Sequence, residues 1–208
     1  MILPTGYTFS PKLSLLYIAM ERCGSKHVRN CMRQVDPQCE HNYDIDCFLP
    51  DYTDNLLAVM RNPTKRLVSI FELMYLTDRE PPNYWFTNTD VTPPWMPTTR
   101  AGADEIIKCF EHFALQLNYL NEQVQLDRFV RPQCHWYTRS DIEYIDISEI
   151  ETHLGITKEV PIEVERKTSI TYEEYMNNET VIQNVCEIYE EDFLKLDYNP
   201  VPSNQFST

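Results

Sequence analysis

An α/β fold with a central parallel sheet flanked by helices is what this sequence predicts, and one pattern, met twice, carries the prediction. In its first occurrence the apolar run LSLLYIAM over 13–20 leads through a turn-like ERCGS into a stretch from Lys26 to Val35, where Val28, Cys31, Met32 and Val35 fall at helical spacing. In the second, LLAVM over 56–60 precedes Pro63, a residue favoured at the first position of a helix; Leu67, Val68, Phe71, Leu73, Met74 and Leu76 then form that helix's packing face. Runs that are apolar at every position mark strands covered on both faces, and strand-loop-helix units build parallel sheets.

The remaining elements follow in order. Thr77 to Arg100 is rich in proline and aromatic residues (PPNYWF, then TPPWMP), which rules out a regular helix and predicts an inserted loop at about 77–100. Gly102 to Gln123 carries helical periodicity through Ile106, Ile107, Phe110, Phe113, Ala114, Leu117 and Leu120. EYIDI over 143–147 reads as a strand, Ser148–Leu154 as a short helix stopped by Gly155, and Thr171-x-x-Glu174 as a capping box opening the C-terminal helices. With 208 residues the chain is expected to form a single domain over 1–208.

Composition removes several classes of function. A formal net charge of −14 argues against nonspecific nucleic-acid binding, which needs many surface cations to neutralise phosphates. No apolar run approaches the length of a membrane span, and no charged n-region with an apolar h-region opens the chain, so the expectation is a soluble, cytoplasmic protein. Cys23, Cys31, Cys39, Cys47, Cys109, Cys134 and Cys186 include no CxxC pair and no zinc-like spacing with histidine. They read mainly as reduced thiols, with a bridge inside the Cys23–Cys47 cluster as the alternative, and no metal is expected.

Two segments carry chemistry. Glu21-Arg22-Cys23-Gly24-Ser25-Lys26-His27 joins the first strand to its helix. Such a loop offers backbone N–H groups and the positive end of the helix dipole, and Arg22, Ser25 and Lys26 add donors suited to a phosphate. It is not a Walker A sequence, because Ala19 stands where the first glycine belongs and His27 follows Lys26. By itself it reads equally as a polar connection with solvated cations. In Arg61-Asn62-Pro63-Thr64-Lys65-Arg66-Leu67-Val68-Ser69 an arginine leaves the end of a buried strand, and a serine lies on the second turn of the next helix. A bend at Pro63 would let Arg61 and Ser69 face one phosphate at the carboxyl edge of the sheet. The plainer alternative leaves Arg66 solvated and Ser69 bonded to its own helix.

Taken together, LLYIAMERCGSKHV and LLAVMRNPTKRLVSIFELMY resemble the sulfotransferase superfamily, in particular the carbohydrate O-sulfotransferases typified by the heparan sulfate 2-O-sulfotransferase family. The second segment keeps that family's RxPxxRxxS pattern. RPQCHWY over 131–137, IDISEIETHLG over 145–155 and YEEDFLKLDY over 189–198 resemble later family segments in the same order. The resemblance implies a P-loop-like three-layer fold. It also implies binding of 3′-phosphoadenosine 5′-phosphosulfate (PAPS), with release of the bisphosphate product PAP after sulfuryl transfer to a hydroxyl of a glycan or related acceptor. It assigns Arg22, Cys23, Gly24, Ser25, Lys26 and His27 to the 5′-phosphosulfate, Arg61 and Ser69 to the 3′-phosphate, and Arg166 and Lys167 to a basic loop over the same phosphate.

The first loop departs from the family's Pro-Lys-x-Gly-Ser/Thr-Thr-Ser, with Glu21 for the proline, Arg22 for the lysine, Lys26 for a threonine and His27 for a serine. Arginine supplies charge and donors but is a poor proton donor. A noncatalytic PAPS-binding module is therefore the alternative, and a divergent P-loop kinase a more distant one, lacking a clean Walker motif and evident Mg²⁺ ligands. For the base the resemblance favours His41, ahead of the second strand, whose neutral imidazole accepts a proton near pH 7. Glu40, Asp44 and His27 are its rivals. Gln133 and His135 are expected either to touch the acceptor or to bond within their own loop. Tyr84, Trp85, Phe86 and Trp95 are expected to stack on a sugar or to fold the insert onto the body.

Overall fold

The computed structural model describes residues 6–20, 22–42, 55–75, 102–123, 130–136, 141–157, 160 and 168–199. The chain divides into two compact units, one built from 1–62 and 133–164 and the other from 63–132 and 165–208. The first is a mixed α/β unit around a five-stranded sheet. Its strands are β1 (Tyr7–Ser10), β2 (Leu15–Ile18), β3 (Glu40–Asn42), β4 (Asn55–Met60) and β5 (Ile142–Asp146), in spatial order β3-β1-β2-β4-β5.

The sheet is mixed: β2, β4 and β5 form the expected parallel part, with Tyr17 opposite Leu57 and Ala58 opposite Tyr144, and β1 adds antiparallel pairing, to both β2 and β3, that the sequence did not predict. The reason is local: the 11–14 connection between β1 and β2 is too short for a crossover and closes a hairpin.

Helix α1 (Ser25–Val35) follows β2 and ends at Asp36-Pro37, where proline disfavours continuation. Its Val28, Cys31 and Met32 pack with Leu15, Tyr17 and Ala19 of β2 and its extension, Leu57 and Val59 of β4, Ile145, and Ile150 and Leu154 of the short helix α4 (Ile150–His153). Residues that alternate with these, Leu16, Ile18, Leu56, Ala58 and Met60, are buried as well, which explains the unbroken apolar runs of the two parallel strands. The helix that was read as Ser148–Leu154 is a 3₁₀ turn over Ile147–Glu149 followed by α4, and Gly155 ends it at φ +66°.

The second unit is helical. It holds α2 (Pro63–Tyr75), α3 (Ala103–Gln123), α5 (Tyr172–Tyr175), α6 (Glu179–Ile188) and α7 (Glu190–Lys195). Phe71, Phe110, Phe113 and Tyr175 form its aromatic centre, with Phe71 edge-on to Phe110 at 5.3 Å and stacked on Phe113 at 5.8 Å between ring centroids. The expected capping box is present: Thr171 N donates to Glu174 Oε2 at 2.6 Å, and Glu174 N to Thr171 Oγ1 at 3.2 Å. Asn178 caps α6 through Oδ1, which accepts from Thr180 N and Val181 N. Among the described residues no helix is long and apolar enough to cross a membrane.

Candidate functional site

The parallel pairing of β2 with β4 puts the ends of both strands at one edge of the sheet, and the two motif loops leave from that edge. After β2 the backbone enters α1 through an unusual turn. Arg22 has φ +61° and Gly24 φ +74°, the left-handed region uncommon for non-glycine residues, which Ser14 and Asp197 also adopt. Glycine suits this positive φ, and a Cβ there would lie 2.0 Å from Ile147 Cδ1, so the tip of that side chain would have to turn aside. From this turn α1 starts with its first backbone N–H groups directed outward along the axis.

The side chains of the loop divide into two groups. Lys26 is exposed and Arg22 half-buried, positions from which both can meet an anion. Ser25 Oγ instead donates to Met20 O at 3.0 Å and accepts from Tyr17 OH at 3.2 Å, so its hydroxyl braces the turn. Cys23 is fully buried and its thiol donates to Gln133 Oε1 at 2.9 Å. His27 is also buried, on the core face of α1 among Cys31 and Glu151. Of the residues expected to bind the phosphosulfate, Arg22 and Lys26 thus have accessible charge, while Cys23, Ser25 and His27 serve the packing of the turn.

Gln133 organises the site, and its role lies outside both sequence alternatives. It is completely buried on the 3₁₀ turn Gln133–Trp136. Its Oε1 accepts from Arg61 N at 2.9 Å and from Cys23 Sγ, and its Nε2 donates to Arg61 O at 2.8 Å. One amide side chain therefore pairs with both backbone groups of Arg61 as a neighbouring strand would, and ties that residue to the loop ahead of α1. The Arg61 side chain is half-buried and follows the end of β4. A contact spanning this much sequence leaves no local pattern, which is why RPQCHWY did not disclose it. His135, by contrast, is exposed.

His41 lies on β3, an edge strand and not a loop, paired with Thr8 of β1. Its Nδ1 lies 2.8 Å from Tyr7 O, with Thr8 Oγ1 at 2.9 Å. Because a carbonyl only accepts, Nδ1 carries the proton and Nε2 has the lone pair of a base. Burial, and then the charge of Arg29, hold the His41 pKa below the ordinary histidine value, so the ring is neutral at pH 7. Nε2 is shielded from solvent. Two strand spacings, about 10 Å, separate β3 from β2. The rival Glu40 is exposed at the start of the same strand.

On α2 of the helical unit, Arg66 is 1% exposed and its Nη1 donates to Arg131 O at 2.9 Å, so the second arginine of RxPxxRxxS is built into the interior and not solvated. Tyr189 OH donates to Val130 O at 2.6 Å; burial pushes this phenol's pKa up, the Arg66 charge opposes the shift and Asp192 adds to it. Ser69 is half-buried on the same helix. Arg166, Lys167, Glu21, Asp44, Cys47 and the aromatic insert with Tyr84, Trp85, Phe86 and Trp95 lie outside the described residues. Cys23, Cys31, Cys39, Cys109, Cys134 and Cys186 are free thiols.

No protein-family model, curated protein or solved structure matches this chain.

Proposed function

We propose that the chain is a PAPS-dependent sulfotransferase with a P-loop-like α/β core, acting on a hydroxyl of a carbohydrate or related acceptor. The observation that carries this reading is the Gln133 bracket, which ties the Arg22–Lys26 loop to Arg61 at the ends of two adjacent parallel strands. That edge is where α/β sheets take anionic ligands, and a bisphosphate needs two cationic anchors held at a fixed spacing. The sulfuryl chemistry itself rests on the family pattern in the two motifs.

In this reading Arg22, Lys26 and the N-terminus of α1 hold the 5′-phosphosulfate, with Cys23, Gly24, Ser25 and His27 shaping the turn. Arg61 anchors the 3′-phosphate; Ser69, Arg166 and Lys167 are assigned to that phosphate by the family resemblance alone. The acceptor oxygen forms its bond to sulfur as the bond from sulfur to the 5′-phosphate oxygen breaks, and PAP departs in line. Charge developing on the leaving phosphate is met by Arg22 and Lys26, and the acceptor proton passes to His41 Nε2.

A second reading, a PAPS-binding module without turnover, is favoured by two features: Arg22 in the family's lysine position, and the shielding of His41 Nε2 on an edge strand. Incubation with radiolabelled PAPS and a panel of neutral and acidic glycans separates the two. The enzyme reading expects label on an acceptor, reduced about 100-fold or more in His41→Ala. Bound nucleotide with no label on any acceptor would favour the binding module.

A further inference from the structure

We propose that His27, Cys31 and Glu151 form a divalent metal site, suited to zinc, that clamps α1 to α4. The inference is independent of the sulfotransferase reading. His27 and Cys31 stand four residues apart on α1 and so share one face of the helix, and Glu151 reaches them from α4. His27 Nε2 lies 3.6 Å from Cys31 Sγ and 3.6 Å from Glu151 Oε1, and the three donor atoms are all within 4.8 Å of one another.

The His27–Glu151 separation is too long for a hydrogen bond, and the His27–Cys31 separation suits either a weak bond to sulfur or two ligands of one ion. An imidazole-carboxylate hydrogen bond closes to about 2.7–3.2 Å, shorter than the His27–Glu151 distance. Around a tetrahedral ion with bonds of about 2.0–2.1 Å to nitrogen and oxygen and about 2.3 Å to sulfur, neighbouring donors sit roughly 3.3–3.6 Å apart. Both separations from His27 match that spacing, and Cys31 Sγ and Glu151 Oε1 lie within 4.8 Å of each other.

The surroundings agree. His27 is 6% exposed and Cys31 fully buried, and among the described residues His27 Nδ1 has no hydrogen-bond partner. Nε2, the ring nitrogen that faces Cys31 and Glu151, is the atom that would bind the ion, and Nδ1 would then carry the ring proton. Glu151 Oε1 accepts from Val160 N at 3.2 Å, an outer contact that orients the carboxylate. Glu151 is the most exposed of the three, leaving a fourth position for water on its side. One nitrogen, one sulfur and one oxygen donor match the borderline character of zinc, and the ion takes the place of the Cys31 thiol proton. Because His27 follows Lys26, the ion fixes the helix turn that presents the anion loop.

The test uses the full chain, treated with a chelator and titrated with Co²⁺, which reports thiolate ligation by a near-ultraviolet charge-transfer band and low coordination number by its visible bands. One equivalent is expected to bind and to be displaced by Zn²⁺. Cys31→Ser removes the charge-transfer band, whereas Cys186→Ser retains it. Should Cys31→Ser fail to fold by circular dichroism, Glu151→Gln decides: its amide oxygen still accepts from Val160 N, and Co²⁺ affinity is expected to fall about 10-fold or more. Absence of the band in the intact chain, its persistence in folded Cys31→Ser, or unchanged affinity in Glu151→Gln would each overturn the site.

Discussion

The sheet unit and the helical unit bury their polar groups to different ends. In the sheet unit, Gln133, Ser10, Asp36 and Thr8 are buried where segments meet, and each hydrogen bond sets the course of a loop: Gln133 on Arg61 and Cys23, Ser10 and Lys12 N on Asp36. In the helical unit the interior is aromatic, and its buried polar groups, Arg66 on Arg131 O and Glu72 accepting from Thr168 at 2.8 Å, brace segments around that core. The difference teaches where to look for function. Loops held by buried side-chain amides and carboxylates are fixed at the sheet edge by polar bonds and not by apolar packing.

The contrast is sharpest in mutation. Phe71→Ala in the helical unit removes a fully buried ring from three aromatic contacts and is expected to cost about 3–5 kcal/mol in urea unfolding. Gln133→Ala strands both backbone groups of Arg61 in the sheet unit and is expected to cost about 1–3 kcal/mol. It should also weaken PAP binding, whereas Phe71→Leu, a milder core change, should leave that binding nearly intact. A Phe71→Leu variant that lost binding as fully as Gln133→Ala would erase the distinction between the units.

Acid sharpens it further. Asp36 accepts from Ser10 Oγ at 2.7 Å, and that bond, with those from Lys12 N and Gln38 N, holds its pKa below the usual carboxylate value. The folded pKa lies below the unfolded one. The stabilisation is therefore complete above about pH 4 and is lost as pH falls through the folded pKa. Urea midpoints of the native chain and Asp36→Asn should differ at neutral pH and converge in acid. The smallest expected effect is at His41. Nuclear magnetic resonance titration should find its pKa below that of a free histidine, and Arg29→Ala should move it upward by removing one of the three causes of the depression, which are burial, Arg29 and Arg33.

How much of this could be read from sequence depended on where the apolar residues lie. The parallel strands and helices α1, α2 and α3 were readable because their buried positions are apolar and periodic. β1 was not, because its pattern is inverted: Thr8 and Ser10 are the buried residues, and Tyr7 and Phe9 only half so. β3, Glu-His-Asn, has no apolar residue at all, so nothing in the pattern marks a strand at His41. Arg22 and Lys26 follow β2 and Arg61 follows β4, positions readable from the apolar runs, whereas the contacts of Cys23, Ser25 and His27 with Gln133, Tyr17 and Glu151 are tertiary and leave no local pattern. The His27–Cys31 pair escapes a comparison of the cysteines with zinc-finger spacings, and its third member, Glu151, is remote in sequence.

The central claim is that the Arg22–Lys26 loop and Arg61 form one bisphosphate site. Calorimetric titration of the intact protein and of Arg61→Ala with 3′,5′-ADP, with ATP as the control, tests it most directly. The account predicts binding of the bisphosphate in preference to ATP, lost in Arg61→Ala. Equal binding of both nucleotides, binding unaffected by the substitution, or no binding of 3′,5′-ADP would contradict it.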